Sequence, residues 1–327
     1  KTSEDARNFL NNTGYNAERI YTTYNGYGGG QINPTYWSDI DWAVFENDIP
    51  GQEIPSELQR PTYPWSGSGT DVQNSINAGK FLLLHRDHGW RHGWGEPDFG
   101  DSEVDNLNNG EKRPVVWSIN CNTGWYDNET DDPTCGTDTG SECFTEHWMN
   151  HYSGGSIGLI ASTRVSYSGY NDRLVWGWMD AIWPEFTTGY NDPYGNDNSI
   201  FKMSDVVNYG KEYMMTKVDD NDIRRTAIEE FHWFGDPTME MWTAVPTDFS
   251  ANYPETINIG STQIQIDCDT ENALVCLYSD GEILGKAYTM LGTAIVEFPV
   301  LTDVGTISLT ISKHDYRILE DEITIIS

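Results

Sequence analysis

Three short segments built on apolar runs set the strongest limit on what this chain can become: "KFLLLHRD" at 80–87, "PVVWSINC" at 114–121 and "SIGLIAST" at 156–163. Each is apolar at successive positions and bounded by polar residues, Gly or Pro, the pattern of a strand buried on both faces. Between and after them the period changes to that of helices. A short helix is expected near Asp101–Asn108, another from about Ser141 that stops at Gly154-Gly155, and others over 172–183, 204–216 and 222–231. Strands led into helices in this way build a mostly parallel sheet with crossover helices, so residues 1–245 read as an α/β open-sheet domain.

After "FGDPTMEMWTAVP" the texture changes to short alternating runs, "TQIQIDC", "ALVCLYS", "TAIVEF", "TISLTIS" and "DEITIIS", separated by Gly, Asp and Asn turns. That is an all-β sandwich over 246–327, with Pro246–Pro254 as linker. A length of 327 residues suits two domains better than one core. With 13 tryptophans, 18 tyrosines and 37% apolar residues there is ample material for both cores, so the net charge of −32 lies on a folded surface. Such a surface repels nucleic acid and anionic membranes; it suits cationic substrates and divalent cations, and is equally well explained by solubility. No run of about 18 apolar residues and no signal-peptide pattern occurs, which reads as a soluble mature form or fragment whose targeting segment, if any, lies outside these residues.

Five cysteines leave at least one thiol unpaired. Cys135 and Cys143 flank a Gly/Thr/Asp loop, Cys268 and Cys276 flank an expected hairpin, and Cys121 is the odd one out. In open α/β sheets the chemistry sits beyond the carboxyl ends of the strands. Two of those ends are His88-Gly89 and Cys121, which adjacent parallel strands would bring side by side. An imidazole that accepts a thiol proton makes a nucleophile, and a glycine after the histidine lets backbone N–H groups approach an oxyanion. The spacing also allows a small buried cysteine and a structural histidine. A metal site from His85, His88 and His92 is disfavoured by geometry: residues 85 and 88 of a strand face opposite ways, and 88 and 92 converge only on a helix that Gly89, Gly93 and Gly95 oppose.

A hydrophobic strand ending in His-Gly, followed by one ending in Cys, resembles the caspase-like clan of cysteine peptidases, and the surrounding residues resemble the gingipain family. "DHGWRHGWGEPDFGDSEVDNL" is similar to the segment after the family's catalytic histidine, "INCNTGWYDN" to the nucleophile segment, "SECFTEHWM" to the helix after it, and "GSIGLIASTRVSYS" to the next strand and substrate-pocket loop. "FGDPTMEMWTAVPT" resembles the end of the catalytic domain, and "QIDCDTENALVCLYSDGEILGKAY" the immunoglobulin-like domain beyond it. The resemblance spans about 75–327 in consistent order. It implies a caspase-like fold, a cysteine endopeptidase with His88 as base and Cys121 as nucleophile, and an oxyanion hole from the N–H groups of Gly89 and Cys121.

It further implies cleavage after Arg or Lys, with Ser166 and Tyr167 in the pocket loop and a carboxylate beneath the aromatic wall. Asp172 is the nearest acidic candidate, equally readable as a helix cap, and Asp41 a weaker one. Two residues depart from the family pattern: Asp87 stands where glycine usually precedes the histidine, and Tyr167 where tryptophan is common. No third catalytic carboxylate can be matched in "DIDWAVFENDIPGQEIP", and His85 is left as a core or rim histidine. No cofactor is expected for catalysis. Structural calcium is implied, and the oxygen-rich loop "YDNETDDPTCGTD" at 126–138 has suitable donors without EF-hand spacing. A secreted or cell-surface location and peptide substrates follow from the same resemblance. Ser3 reads as the cap of a helix over 4–12 with no strand before it, from which a processed N-terminal chain of the same precursor is expected as a partner. The non-enzymatic alternative is an acidic, aromatic-rich binding or adhesion module.

Overall fold

The three apolar runs form three neighbouring strands, and each ends within two residues of where its polar boundary begins. The protein is described here from a computed structural model over residues 1–23, 54–127, 141–186 and 198–327. The chain divides into two compact units, Lys1–Met241 and Trp242–Ser327.

In the first unit, helix α1 (Thr2–Asn12) takes Lys1 as its N-cap, so Ser3 lies inside the helix and does not cap it. Helix α2 (Gly69–Ala78) is closed by a capping box between Ser68 and Asp71. Strand β1 (Leu82–Arg86) runs into a ribbon of three two-residue strands, β2 (Gly89–Trp90), β3 (Gly93–Trp94) and β4 (Phe99–Gly100). Helix α3 (Asp101–Asp105), strand β5 (Val115–Ile119), helix α4 (Phe144–Asn150) and strand β6 (Gly158–Ser162) follow. Helices α5 (Tyr170–Ile182), α6 (Met203–Lys217) and α7 (Asp222–Glu230) complete the layer before strand β7 (Phe231–Phe234). The sheet order is β1-β5-β6-β7, with β1, β5 and β6 parallel and β7 antiparallel to β6.

Both faces of this sheet are covered, which is why β5 and β6 read as continuous apolar runs and not as alternating ones. Alternation survives in the destinations of the side chains. Val115, Trp117 and Ile119 enter the core built with α1, α5, α6 and α7, while Val116 enters the core built with α2, α3 and α4. Trp117 meets Trp178 of α5 edge to face at 5.7 Å, and truncating a buried aromatic of this kind costs about 3–5 kcal/mol. Helices α5 and α6 approach so closely that a Cβ on Gly177 would lie 2.6 Å from the Cα of Gly210.

The second unit holds two sheets. Strand β8 (Ala251–Asn252) and strand β13 (Thr293–Glu297) flank β10 (Gln263–Cys268). The other sheet runs β12 (Glu282–Tyr288), β11 (Leu274–Ser279), β14 (Gly305–Ser312), β15 (Leu319–Ile326) and β9 (Thr256–Asn258), in that order. Ile264, Ile266, Val275, Leu277, Ile307, Leu309, Ile311, Ile323 and Ile325 form its core from alternate positions. The segment expected as a linker belongs to this unit, since Ala251 and Asn252 pair with Cys268 and Asp267. Cys268 and Cys276 do not flank a hairpin: β10 and β11 lie in different sheets, and neither cysteine is bridged. Among the described residues, no helix is long and apolar enough to cross a membrane.

Candidate active site

Parallel pairing of β1 with β5 sets Leu82 opposite Val115 and Arg86 opposite Ile119, a constant offset of 33 positions (115 minus 82). His88 and Cys121 each follow the last paired residue of their strand by two positions, at the carboxyl edge where an open sheet places its chemistry. The sequence foresaw the two strands that carry them, and these strands lie side by side in the sheet.

Backbone contacts hold each end. The His88 carbonyl accepts from Gly95 N–H at 2.9 Å, anchoring the ribbon to the strand end. Asp87 does not orient the imidazole by any hydrogen bond; its Oδ1 accepts from the His88 backbone N–H at 2.7 Å. Gly89 packs on the side chain of Asn120, so tightly that a Cβ there would lie 2.5 Å from Asn120 Oδ1. After Cys121 the chain turns sharply through Asn122 at φ 61°, a left-handed conformation that asparagine adopts more readily than most residues. The turn is pinned by Asn122 N–H to Arg164 O at 3.0 Å and Gly124 N–H to Ser162 O at 2.9 Å.

Cys121 is partly exposed, and its Sγ accepts from the Ser166 N–H at 3.4 Å. Ser166 braces the segment before Cys121 as well, its hydroxyl donating to Asn120 O at 2.9 Å while accepting from Asn171 Nδ2 at 2.7 Å. Tyr167 is half-buried against the core that contains α5. Beside His88 opens a cavity of about 630 Å³ walled by Thr22, Gly69, Trp90, Glu96 and Asp98. Desolvation, with Asp87 close by, holds the Glu96 carboxyl above its usual range.

Asp172 needs correcting. It is buried, and both carboxylate oxygens are engaged: Oδ1 accepts from Arg86 Nε and Thr2 Oγ1, each at 2.8 Å, and Oδ2 from Arg86 Nη2 at 3.1 Å and Gly169 N–H at 2.9 Å. Its charge is matched by Arg86, so it caps α5 and is not an unpaired carboxylate waiting for a basic side chain. Asp41, and the segment in which a third carboxylate was sought up to residue 53, lie outside the described residues. So do Cys135 and most of the oxygen-rich loop. Of that loop Tyr126 and Asp127 are described, and the Asp127 carboxylate pairs with Arg164 at 2.8 Å.

The three histidines do not converge. His85 is buried against Trp94, the rings stacked at 4.5 Å, and His92 pairs with Asp101 at 2.7 Å. Among the described residues no group of three or more His, Cys, Asp or Glu could hold a metal ion. Sequence reasoning missed Arg86 and Asn120. The signal was a cluster of polar residues closing each apolar run, His85-Arg86-Asp87 in one and Ser118 and Asn120 in the other.

The family model for peptidase family C25 matches residues 2–242, and that for the family's C-terminal Ig-like domain matches 252–325. The chain belongs to peptidase family C25. Gingipain R1 of Porphyromonas gingivalis is 24% identical over 249 residues, covering 75% of this chain and 23% of the relative. Among solved structures, the Arg-specific cysteine proteinase gingipain R (RgpB) superposes with a TM-score of 0.67 at 21% identity, over 79% of this chain and 56% of that one. The complex of the P. gingivalis RgpB pro- and mature domains gives 0.65 at 21%, over 79% and 57%. This C25 chain therefore spans under a quarter of that curated relative and a little over half of the solved chains. The shared fold is the caspase-like α/β sheet with its Ig-like partner domain.

Proposed function

We propose that the chain is a cysteine endopeptidase in which Cys121 and His88 act as one unit. His88 takes the thiol proton, and Sγ of Cys121 attacks the scissile carbonyl carbon to give a tetrahedral oxyanion that accepts from the N–H groups of Gly89 and Cys121. Collapse expels the amine, protonated by His88, and leaves a thioester; water, deprotonated by His88, then releases the acid and restores the thiol. The observation that supports this reading is the parallel β1–β5 pairing in a C25 chain, with His88 and Cys121 each two residues beyond the last pair, Arg86 and Ile119.

A basic P1 residue is supported by the Arg specificity of the gingipain R neighbour. Asp172 is already matched by Arg86 and is not proposed as the carboxylate that recognises it; Ser166, whose N–H meets Cys121 Sγ, remains the proposed pocket-loop residue beside the nucleophile, with Tyr167 next to it in the chain. No step requires calcium. A secreted or surface location is part of the reading, as is structural calcium.

Hydrolysis of a mixed peptide library by the full chain tests it. Cleavage is expected after Arg or Lys, with Cys121→Ala and His88→Ala each lowering the rate by about 10⁴-fold or more. Cys121 should also be alkylated by iodoacetamide far faster than the other thiols. A folded wild type with no fast thiol and no cleavage would instead indicate a binding module.

A further inference from the structure

Beneath the two strand ends lies a buried polar network that the dyad does not use. The side-chain amide of Asn120 is 1% exposed, and Asn120 immediately precedes Cys121. Its Nδ2 donates to His85 Nδ1 at 2.8 Å and to Ser118 Oγ at 3.1 Å, and its Oδ1 accepts from Thr123 Oγ1 at 2.8 Å. Ser118 Oγ in turn accepts from Trp94 Nε1 at 2.8 Å. His85 is fixed by its stack on Trp94, and burial pushes its imidazole down to about 3, so it stays neutral and offers a lone pair to the amide. Polar groups held in this way resist displacement, because each broken bond leaves a buried group unsatisfied.

The network touches both halves of the site. Asn120 is bonded covalently to the nucleophile, and Gly89, one residue past the base, rests on the same amide with no room for a methyl group. His85 stands three residues before His88 in the strand that leads to it. We infer that Asn120, held by His85, is a positioning residue that sets the spacing between the Gly89 and Cys121 N–H groups, and hence the oxyanion hole. This inference rests on the peptidase reading above. Pairing between the two strands themselves ends at Arg86 and Ile119. A side chain bridging beyond them supplies a further constraint at the point where a shift of about 1 Å costs about 10²-fold in rate.

Two chemistries at one sulfur separate positioning of the oxyanion hole from general damage. Hydrolysis of a fluorogenic peptidyl-arginyl amide passes through a tetrahedral oxyanion; alkylation of Cys121 by iodoacetamide does not. In Asn120→Ala and in His85→Phe, which keeps a ring against Trp94 but removes the acceptor, kcat should fall about 10²-fold with KM within about threefold. The alkylation rate should stay within about threefold of wild type, and His85→Gln, which restores an acceptor, should recover part of kcat. The double variant should lose little more than either single one, as expected for residues acting through one bond. Should Asn120→Ala fail to fold, the two His85 variants carry the same test. Wild-type kcat in folded variants would overturn the inference, as would parallel loss of kcat and alkylation. A wild type that neither cleaves nor alkylates would overturn the peptidase reading instead.

Discussion

Arg86 and Asp172 close a two-point ion pair, Nε to Oδ1 at 2.8 Å and Nη2 to Oδ2 at 3.1 Å, that ties the last residue of β1 to the first turn of α5. Burial alone would raise the Asp172 carboxyl, but the Arg86 charge and hydrogen bonds outweigh it and bring the group down to about 2. A depressed folded-state value stabilises the fold above the ordinary carboxyl range and is lost as pH falls from about 3.8 towards 2.

Arg86→Met should therefore destabilise the chain by about 3–5 kcal/mol at neutral pH, because it leaves a buried carboxylate uncompensated. Urea denaturation measures this. The double variant Arg86→Met, Asp172→Leu should regain most of the loss, and an equal loss in both would mean that the pair contributes by packing alone.

Asp172→Asn bears on specificity. Since the Asp172 charge is already matched, the substitution should lower stability and leave the P1 preference of wild type unchanged in library mapping. A switch away from basic residues would show that the pair opens when substrate binds.

Glu230 ends α7 almost fully buried, and neither carboxylate oxygen has a hydrogen-bond partner among the described residues. Burial raises its carboxyl to about 8 from the ordinary 4.5. The folded chain then holds a proton that the unfolded chain releases, so this contribution is complete below about 4.5 and is lost as pH rises to about 8. Glu230→Gln should match wild type near pH 4.5 and exceed it increasingly above, by at most about 1.4 kcal/mol per pH unit. Denaturation curves for both proteins at pH 5 and pH 8 decide it, and a constant difference would show that the carboxylate is not held neutral.

Gly177→Ala should destabilise the first unit by about 1–3 kcal/mol through overpacking, because the added Cβ would lie 2.6 Å from Gly210 Cα and 2.7 Å from Tyr213 Cβ. A fall in Tm without loss of kcat is the expected result. An unchanged Tm would mean that α5 and α6 can separate freely.

The sequence alone determined the three parallel strands, the helices over 172–183 and 204–216, the change to a sandwich, and the two strands that lead to His88 and Cys121. These rest on local apolar periodicity, which the chain carries in its own order, and on motifs that run in the order of the gingipains. It left Asp172 open between a substrate pocket and a helix cap, and Arg86, 86 positions away, claims that carboxylate. It passed over Asn120, whose partner His85 lies 35 positions back in the neighbouring strand. A charged or polar side chain inside an apolar run shows that a partner must exist, because burying it alone is too costly. Which partner, and so which residues brace the site and which could meet a substrate, is decided only when the sheet's register brings distant positions within hydrogen-bond reach.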